Sequence, residues 1–204
     1  MRKMYLSAPL PFVGQKRMLA KEFMKVLEQY PDGTLFVDLF GGSGLLSHIT
    51  KSLKPHSTVI YNDFDNYRFR MKHIPQTNQL LADIREMVGN SVPRHKIIKG
   101  ELRERIFSRI EQEENSTGYV DFITLSSSIL FSMKYKLSVQ DMRKEALYNN
   151  IRKTGYPECT DYLEGLEIVS CDYKEVFNRY KDIPGVVFLV DPPYLSTDVG
   201  TYNM

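Results

Sequence analysis

The chain has 204 residues, of which 42% are hydrophobic and 25% charged, and its formal net charge is +2. This composition is typical of a soluble globular protein with one domain and an insertion, or with two small domains. No apolar run approaches the roughly 18 residues that a transmembrane helix needs, and no signal-type apolar region follows the basic N-terminus, so we expect no membrane association. The two cysteines, Cys159 and Cys171, lack metal-ligand spacing, which indicates reduced thiols in a cytoplasmic protein.

The first third of the chain alternates between helical and strand patterns. Apolar residues recur at helical spacing from Gln15 to Gln29, and Pro31-Asp32-Gly33 is typical of a turn. A strand is predicted next, followed at once by a glycine-rich loop, a second helix and a short strand that ends at Asn62-Asp63. The predicted ranges are 34–40 and 58–61 for the strands and 45–53 for the second helix.

The pattern changes between residues 67 and 166, where helical stretches dominate. We predict helices over 77–89, 100–114, 119–135 and 139–150, then a strand over 167–171, a helix over 173–180 and a strand over 186–190. Strands that alternate with helices are typical of a parallel, doubly wound sheet. The predicted fold class is therefore α/β with a helical insertion, which divides the chain into 1–66 plus 167–204 and 67–166.

The glycine-rich loop Gly41-Gly42-Ser43-Gly44 is typical of a nucleotide-binding turn. Glycines let a ligand approach the backbone, and the N-terminus of the next helix offers free N–H groups. The second strand ends in Asp63, 19 residues beyond Gly44, where an acidic residue can bind ribose hydroxyls or instead cap a helix. A dinucleotide dehydrogenase remains open at this point, although Ser47 stands where its fingerprint has a third glycine.

Near the C-terminus, the apolar run 186–190 is followed by Asp191-Pro192-Pro193-Tyr194. Five consecutive apolar residues predict a strand that is buried on both faces of the sheet. Asp191 would lie at its carboxyl end, where open α/β sheets bind ligands. The prolines leave backbone carbonyls without a partner in a neighbouring strand, and the tyrosine offers a flat face. Two acceptors and a stacking surface suit a planar ring that carries an amino group, and hydride transfer has no use for them.

In their order along the chain, these motifs resemble those of the N6-adenine DNA methyltransferases of the Dam type, the alpha class of amino-methyltransferases. Residues 11–16 resemble the N-terminal cofactor motif of that family, 38–44 its S-adenosylmethionine loop, 62–63 its ribose-binding acid, 170–173 its adenine-contacting segment and 191–194 its catalytic motif. The resemblance extends over nearly the whole chain. It implies a Rossmann-like S-adenosylmethionine-dependent methyltransferase sheet, in which the helical insertion is the target-recognition region.

The resemblance also implies the cofactor, S-adenosylmethionine, and the reaction, which is methyl transfer to the exocyclic amine of adenine in double-stranded DNA (enzyme class EC 2.1.1.72). The Asp191 carboxylate and the Pro192 carbonyl would accept the two N–H groups of the amine, and Tyr194 would stack on a base flipped out of the duplex. The implied catalytic residues are Asp191, Pro192, Pro193 and Tyr194. The implied cofactor-binding residues are Phe12, Gly14, Lys16, Asp38, Phe40, Gly41, Gly42, Gly44, Asp63, Asp172, Tyr173 and Asp191.

Positive charge is concentrated in residues 94–109 and 134–153, each of which carries six Lys or Arg against two acidic residues. Such stretches can contact phosphates, or they can be solvated helix faces. An enzyme that acts on DNA favours the first interpretation. The candidate DNA-binding residues are Arg94, Lys96, Arg103, Lys134, Lys136 and Arg143. The four histidines show no ligand spacing, so no metal site is predicted.

The chain ends at Met204, ten residues after Tyr194, whereas the resemblance implies further strands and helices. We therefore expect a C-terminally truncated chain with an incomplete sheet, whose edge near Leu189 and Val190 is covered by a missing C-terminal segment, a second polypeptide or a homo-oligomer.

Two alternatives remain open. One is a catalytically silent fragment that binds S-adenosylmethionine or DNA, and the other is an amino-methyltransferase that acts on RNA or protein. Asp191 favours adenine over glutamine, because glutamine methyltransferases usually carry Asn at this position. The target DNA sequence, and a role in a restriction-modification, phage or housekeeping system, do not follow from the sequence.

Overall fold

The computed structural model describes residues 3–14, 16–131 and 134–192, so Pro193 and Tyr194 of the predicted catalytic motif lie outside the described residues. The helices are α1 (Ala20–Glu28), α2 (Leu45–Leu53), α3 (Tyr67–Lys72), α4 (Ile74–Val88), α5 (Gly100–Thr117), α6 (Phe122–Ile129), α7 (Val139–Arg143) and α8 (Tyr173–Tyr180). The strands are β1 (Phe36–Asp38), β2 (Val59–Asn62), β3 (Ile97–Ile98), β4 (Leu147–Tyr148), β5 (Glu167–Val169) and β6 (Val187–Leu189). None of the described helices is both long and apolar enough to cross a membrane.

The chain forms two compact units. Unit 1 comprises residues 1–71 and 159–204, and unit 2 comprises residues 72–158. The second unit lies within the insertion predicted over 67–166. Its role in target recognition stays a prediction.

Unit 1 is built on a four-stranded parallel sheet with the strand order β5-β2-β1-β6. Residues 36–38 of β1 pair with 59–61 of β2 on one side and with 187–189 of β6 on the other. β5 pairs with the outer side of β2. The prediction of an α/β protein with a parallel sheet is therefore confirmed.

Side chains that alternate along β1 and β2 build a separate core on each face of this sheet. On one face, Phe36 and Val59 pack with residues of α1 and α2. On the other face, Val37 and Ile60 pack with Val176 of α8. Helices thus cover both faces, as a parallel sheet requires.

The strand predicted over 186–190 is present, but the prediction that it is buried on both faces is wrong. Of β6 only Leu189 is buried, and Val190, which follows it, is 60% exposed. The reason is the position of the strand, since β6 pairs only with β1 among the described strands and forms an edge of the sheet. Phe188 is partly covered by Phe177 of α8, with ring centroids 5.0 Å apart. A continuation of the sheet beyond this edge stays a prediction.

Unit 2 consists of α4 to α7 and a small antiparallel sheet of β3 and β4. The helix predicted over 139–150 is shorter than expected, because Leu147 pairs with Ile98 in this sheet and both side chains are buried. The helix predicted over 119–135 begins at Phe122, where the Asp121 carboxylate accepts the Thr124 N–H at 3.1 Å, and ends at Ile129. Long-range strand pairing and capping thus override the apolar periodicity here.

Two further differences lie in unit 1. The helix predicted from Gln15 begins only at Ala20. Helix α3, within residues where no helix was predicted, starts where the Asp63 carboxylate accepts two backbone N–H groups. Helix α2 and helix α8 match their predicted ranges.

Candidate functional site

Two strand ends meet where the strand order of the unit 1 sheet reverses. From β1 the chain continues to β2 and β5 on one side, and it returns to β6 on the other side. The ends of β1 and β6 therefore form a topological switch point, the usual ligand site of a doubly wound sheet. Asp38 pairs with Leu189 in the register, which brings the loop after β1 close to Asp191.

The loop after β1 turns tightly into helix α2. The Gly44 N–H donates to the Gly41 carbonyl at 2.7 Å, and Gly42 and Gly44 have left-handed φ angles of 48° and 71°. Neighbouring rings also leave no room for side chains. A Cβ on Gly41 would lie 2.3 Å from the Tyr61 ring, and one on Gly42 would lie 2.9 Å from the Phe12 ring. Conformation and close packing therefore both require glycine in this loop.

Asp38 is a buried carboxyl group at the end of β1. Its Oδ2 accepts a hydrogen bond from Ser47 Oγ at 2.7 Å, whereas its Oδ1 has no hydrogen-bond partner among the described residues. The pKa of Asp38 is raised to about 7, mainly by burial and also by the negative charge of Asp191, while hydrogen bonds from the Ser47 hydroxyl and the Phe40 backbone act in the opposite direction. A buried oxygen without a donor is costly, and a ligand that carries N–H groups would satisfy it.

Two polar side chains hold the end of β2. Asn62 donates to the carbonyls of Leu39 at 3.0 Å and Cys171 at 2.9 Å, which ties the ends of β1 and β2 to the chain after β5. Asp63 caps α3 by accepting two backbone N–H groups at 2.6 and 3.0 Å. Burial raises the pKa of Asp63, and these N–H groups oppose that rise. The capping alternative for Asp63 is therefore observed, and a ribose contact stays a prediction.

An aromatic pair flanks the glycine-rich loop. The ring centroids of Phe40 and Tyr173 lie 4.9 Å apart with an interplanar angle of 34°, and Tyr173 is 40% exposed. Asp172 caps α8 by accepting the Lys174 N–H at 2.8 Å. The segment predicted to contact adenine thus combines exposed aromatic surface with a carboxylate.

The predicted catalytic carboxylate forms an ion pair with a predicted cofactor-binding residue. Lys16 Nζ lies 3.0 Å from Asp191 Oδ1, and the two side chains are 19% and 23% exposed. Just before Lys16 in the chain, Phe12 packs edge-to-face on Tyr67 at 5.8 Å, while Gly14 is exposed and has a φ of 70°. The N-terminal motif is therefore in contact with the catalytic motif, although they lie at opposite ends of the sequence.

Unit 1 thus brings many of the predicted site residues together. Phe12 packs beside the glycine-rich loop, and Lys16 forms an ion pair with Asp191. The negative charge of Asp191 raises the pKa of Asp38, so these two carboxyl groups are also close. Sequence reasoning missed Tyr61 and Tyr162, whose hydroxyl groups donate to carbonyls of the glycine-rich loop. Tyr61 precedes Asn62-Asp63 directly and could have been found from that position, whereas nothing in the sequence around Tyr162 points to the loop.

Several predicted DNA-binding residues form ion pairs within unit 2. Arg143 lies 2.7 Å from Glu104 and 3.0 Å from Glu111. Arg103 lies 2.7 Å from Glu104, and the guanidinium groups of Arg103 and Arg143 both lie over the Phe107 ring. These two side chains are therefore integrated into the packing of unit 2.

The remaining four candidates divide into two pairs. Lys134 and Lys136 both contact Glu145, at 2.7 and 3.1 Å. Arg94 donates to the Ile151 carbonyl, and it forms no ion pair with a described carboxylate. Lys96 is exposed, and its ammonium group contacts no described carboxylate. The positive charge of this pair is therefore more available to a polyanion than that of the other candidates.

Comparison with known proteins identifies the family. The family model described as D12 class N6 adenine-specific DNA methyltransferase matches residues 12–204. The chain belongs to this family. A relative from Haemophilus influenzae, named "Putative methyltransferase", is 40% identical over 206 residues, which cover 99% of this chain and 69% of that protein. The resemblance inferred from the order of the motifs is confirmed, and membership of this D12 class implies S-adenosylmethionine as the methyl donor.

The packing of the glycine-rich loop leads to a prediction for Gly41→Ala. The added Cβ would lie 2.3 Å from the ring of the fully buried Tyr61 and 2.8 Å from the Asn62 carbonyl, so the loop has to move. We expect a loss of about 1–3 kcal/mol in the free energy of unfolding and weaker binding of S-adenosylmethionine. Chemical denaturation and calorimetric titration measure the two effects. Gly118→Asn is the control, because position 118 has open space and asparagine tolerates its left-handed conformation. Wild-type stability and affinity in Gly41→Ala would contradict the prediction.

The raised pKa of Asp38 leads to a prediction about pH. Its pKa is about 7 in the folded protein and near 4 in an unfolded chain, so the folded state binds the extra proton between these values. The stabilising contribution of this group is therefore present below about pH 4 and is lost as the pH rises to about 7. We expect the difference in unfolding free energy between the wild type and Asp38→Asn to fall over this range and to stay constant above it. Urea denaturation at a series of pH values tests this, and a difference that is independent of pH would refute it.

Proposed function

We propose that this D12-class protein transfers a methyl group from S-adenosylmethionine to the N6 amine of adenine in double-stranded DNA. The observation that carries the proposal is the position of Asp191, which lies beside Asp38 and the glycine-rich loop at the switch point of the sheet. The family match supports this choice of substrate. Such a reaction needs a hydrogen-bond acceptor for the amine and a loop that binds the cofactor. Both lie at the carboxyl ends of β1 and β6.

The groups present in unit 1 are chemically suited to S-adenosylmethionine. The unpartnered Oδ1 of Asp38 complements an ammonium group, and the N-terminus of α2, at Leu45, complements a carboxylate. The exposed ring of Tyr173, beside Phe40, offers a surface to an adenine ring. Further proposed cofactor contacts are Phe12, Gly14, Lys16, Gly41, Gly42, Gly44, Asp63 and Asp172. When bound, this cofactor supplies a methyl group that is already activated on a sulfonium.

The proposed chemistry is a single displacement. The N6 lone pair of adenine forms the new N–C bond to the methyl carbon, while the S–CH₃ bond breaks and its electron pair stays on sulfur. The amine nitrogen loses one proton, which passes to solvent by way of Asp191. The products are N6-methyladenine, S-adenosylhomocysteine and a proton.

Asp191 and Pro192 prepare the amine for this step. The lone pair of the exocyclic amine is delocalised into the ring, so the amine is a poor nucleophile. Hydrogen bonds to the Asp191 carboxylate and the Pro192 carbonyl favour a tetrahedral nitrogen and localise the lone pair, and the carboxylate stabilises the positive charge that develops. Until the base arrives, Lys16 holds the carboxylate by the ion pair at 3.0 Å. Pro193 and Tyr194 complete the proposed motif, with Tyr194 stacking on the flipped base.

DNA is proposed to bind unit 2 through basic side chains that form no ion pair within the described part of the chain. These lie around the paired strands β3 and β4, where the His95 N–H donates to the Asn149 carbonyl at 3.0 Å. Arg94 donates to the Ile151 carbonyl, and Arg85 Nε donates to the Arg152 carbonyl at 2.8 Å. The side chains proposed to contact phosphates are Arg85, Arg94, Lys96, Arg152 and Lys153.

The catalytic proposal predicts the behaviour of Asp191→Ala. The variant loses one acceptor for the target amine and the charge opposite Lys16, so we expect methyl transfer to unmethylated DNA to fall at least about 100-fold. Transfer of a tritiated methyl group measures this rate. Asp182→Ala is the matched control, because Asp182 is an exposed aspartate whose ion pair among the described residues is a long one, 4.0 Å from Lys181.

The same assay separates the competing functions. Equal incorporation by the wild type and Asp191→Ala would refute the catalytic role of Asp191. If the wild type transfers no methyl group to DNA, RNA or protein but binds S-adenosylmethionine, it is a silent binding module. If RNA or protein is the acceptor, the proposed substrate is wrong while the chemistry stands.

The DNA proposal predicts different salt dependences for two sets of lysines. Each phosphate contact contributes about 0.9 to the slope of log K against log salt concentration. We expect Lys96→Ala and Lys153→Ala each to reduce this slope by about one, because neither ammonium group forms an ion pair with a described residue. Lys134→Ala is the comparison, since Lys134 is already paired with Glu145. Fluorescence anisotropy with duplex DNA at several salt concentrations gives the slopes, and a larger change in Lys134→Ala than in Lys96→Ala would reverse the assignment.

A further inference from the structure

A partly buried cluster of aromatic and polar side chains adjoins the glycine-rich loop of unit 1. Its members are Tyr5, His48, Asp161 and Tyr162. The rings of His48 and Tyr162 stack at 4.7 Å with an interplanar angle of 14°, and Tyr5 packs against both rings at 5.3 and 5.7 Å in edge-to-face contacts. His48 and Tyr162 have no exposed surface. The chemistry proposed above uses none of these four residues.

The hydrogen bonds of the cluster hold Tyr162 in one orientation. The Tyr162 carbonyl lies 2.7 Å from His48 Nδ1, which must donate because a carbonyl can only accept. The Tyr5 N–H lies 2.9 Å from His48 Nε2, which must therefore accept. Both ring nitrogens are thus engaged in the neutral form of His48. The Tyr5 hydroxyl donates to Asp161 Oδ1 at 2.6 Å, next to Tyr162 in the chain.

From this fixed position, the Tyr162 hydroxyl donates to the Ser43 carbonyl at 3.1 Å. The Tyr61 hydroxyl lies 2.8 Å from the preceding carbonyl, that of Gly42. Two tyrosines therefore hold two consecutive peptide units of the glycine-rich loop. Since a peptide unit is planar, an anchored Ser43 carbonyl also orients the Gly44 N–H, which closes the turn onto the Gly41 carbonyl.

The two tyrosine hydroxyls differ in their surroundings. Tyr61 has a single proton for two acceptors, since Asp63 Oδ1 lies 3.0 Å from its hydroxyl as well. The Tyr162 hydroxyl, which is fully buried, donates to the Ser43 carbonyl. Burial raises the pKa of Tyr162 well above its ordinary value, so the hydroxyl remains a donor across the physiological pH range.

We propose that Tyr162 is a positioning residue for the cofactor, because its hydroxyl holds the Ser43–Gly44 peptide and thereby the entry into helix α2. The inference rests on the proposed binding of S-adenosylmethionine at this loop. It assigns to Tyr162 no contact with the cofactor or with the reacting atoms. The segment that carries Tyr162 directly follows unit 2 in the sequence, so the chain returning from the insertion supports the loop from behind.

The test is Tyr162→Phe in the full-length protein, which keeps the ring stacked on His48 and removes only the hydroxyl. Hydrogen exchange of the backbone amides of residues 41–47 is measured without cofactor, and the dissociation constant for S-adenosylmethionine is measured by calorimetry. We expect faster exchange confined to this loop and about three- to tenfold weaker binding, the loss typical of one hydrogen bond. A merely structural role would lower thermal stability and change neither loop exchange nor affinity.

Tyr156→Phe is the matched control, because it removes another buried tyrosine hydroxyl, which lies 3.3 Å from Ser128 Oγ in unit 2. We expect wild-type exchange of residues 41–47 and wild-type affinity in this variant. Should Tyr162→Phe fail to fold, Tyr5→Phe takes its place, because it removes the hydroxyl that holds Asp161 beside Tyr162, and the expectation for the loop is the same. Wild-type exchange and affinity in the tyrosine variant would overturn the inference and leave the proposed function intact. A wild-type protein that binds no S-adenosylmethionine would refute the proposed function, while the exchange data would still report on the anchored loop.

Discussion

The parallel pairing of β6 with β1 is the interaction on which the candidate site depends. The Leu39 N–H donates to the Leu189 carbonyl at 3.1 Å, and this register places Asp191 beside the loop that follows Asp38. A slip of one residue would turn Leu189 away from the core that it shares with Phe36. Burial of these side chains therefore specifies the register, and the register brings two carboxylates together that are far apart in the sequence.

The same arrangement concentrates charge at one edge of the sheet. Asp38 is buried, one of its oxygens has no hydrogen-bond partner among the described residues, and Asp191 lies close enough to raise its pKa, while Lys16 forms an ion pair with Asp191. Such a carboxyl reduces the stability of the protein at neutral pH, because burial makes its ionisation unfavourable and the hydrogen bond from Ser47 offsets this only in part. Buried polar groups that lower the stability of the protein are common at sites that bind a ligand of opposite charge. The glycine-rich loop, by contrast, is stabilised, since the hydroxyls of Tyr61 and Tyr162 donate hydrogen bonds to its carbonyls.

In unit 2, the number of basic residues in a stretch does not tell how much positive charge is available to bind a polyanion. The two basic stretches look equivalent in the sequence, with six Lys or Arg each. In the folded unit, Arg143 forms ion pairs with Glu104 and Glu111, whereas Arg94 donates to a backbone carbonyl and pairs with none of the described carboxylates. Ion pairing within the fold therefore redistributes the positive potential towards the region of β3 and β4. Local charge density alone could not have shown this, because the carboxylates that pair with Arg143 lie more than thirty residues away.

The sequence by itself determined the α/β class, the family, helices α2 and α8 and the order of the motifs, because these features depend on local periodicity, glycine placement and short spacings. It also placed Asp38, the glycine-rich loop and Asp191 at strand ends, where chemistry is expected. Only the tertiary structure decided that Leu189 is the one buried residue of β6, that β4 replaces the end of a predicted helix and that Asp63 caps α3. It also revealed the anchoring of the loop by Tyr162, since that contact joins residues 119 positions apart and leaves no pattern in the local sequence. Long-range packing and hydrogen bonding determine such contacts, and no local signal carries them.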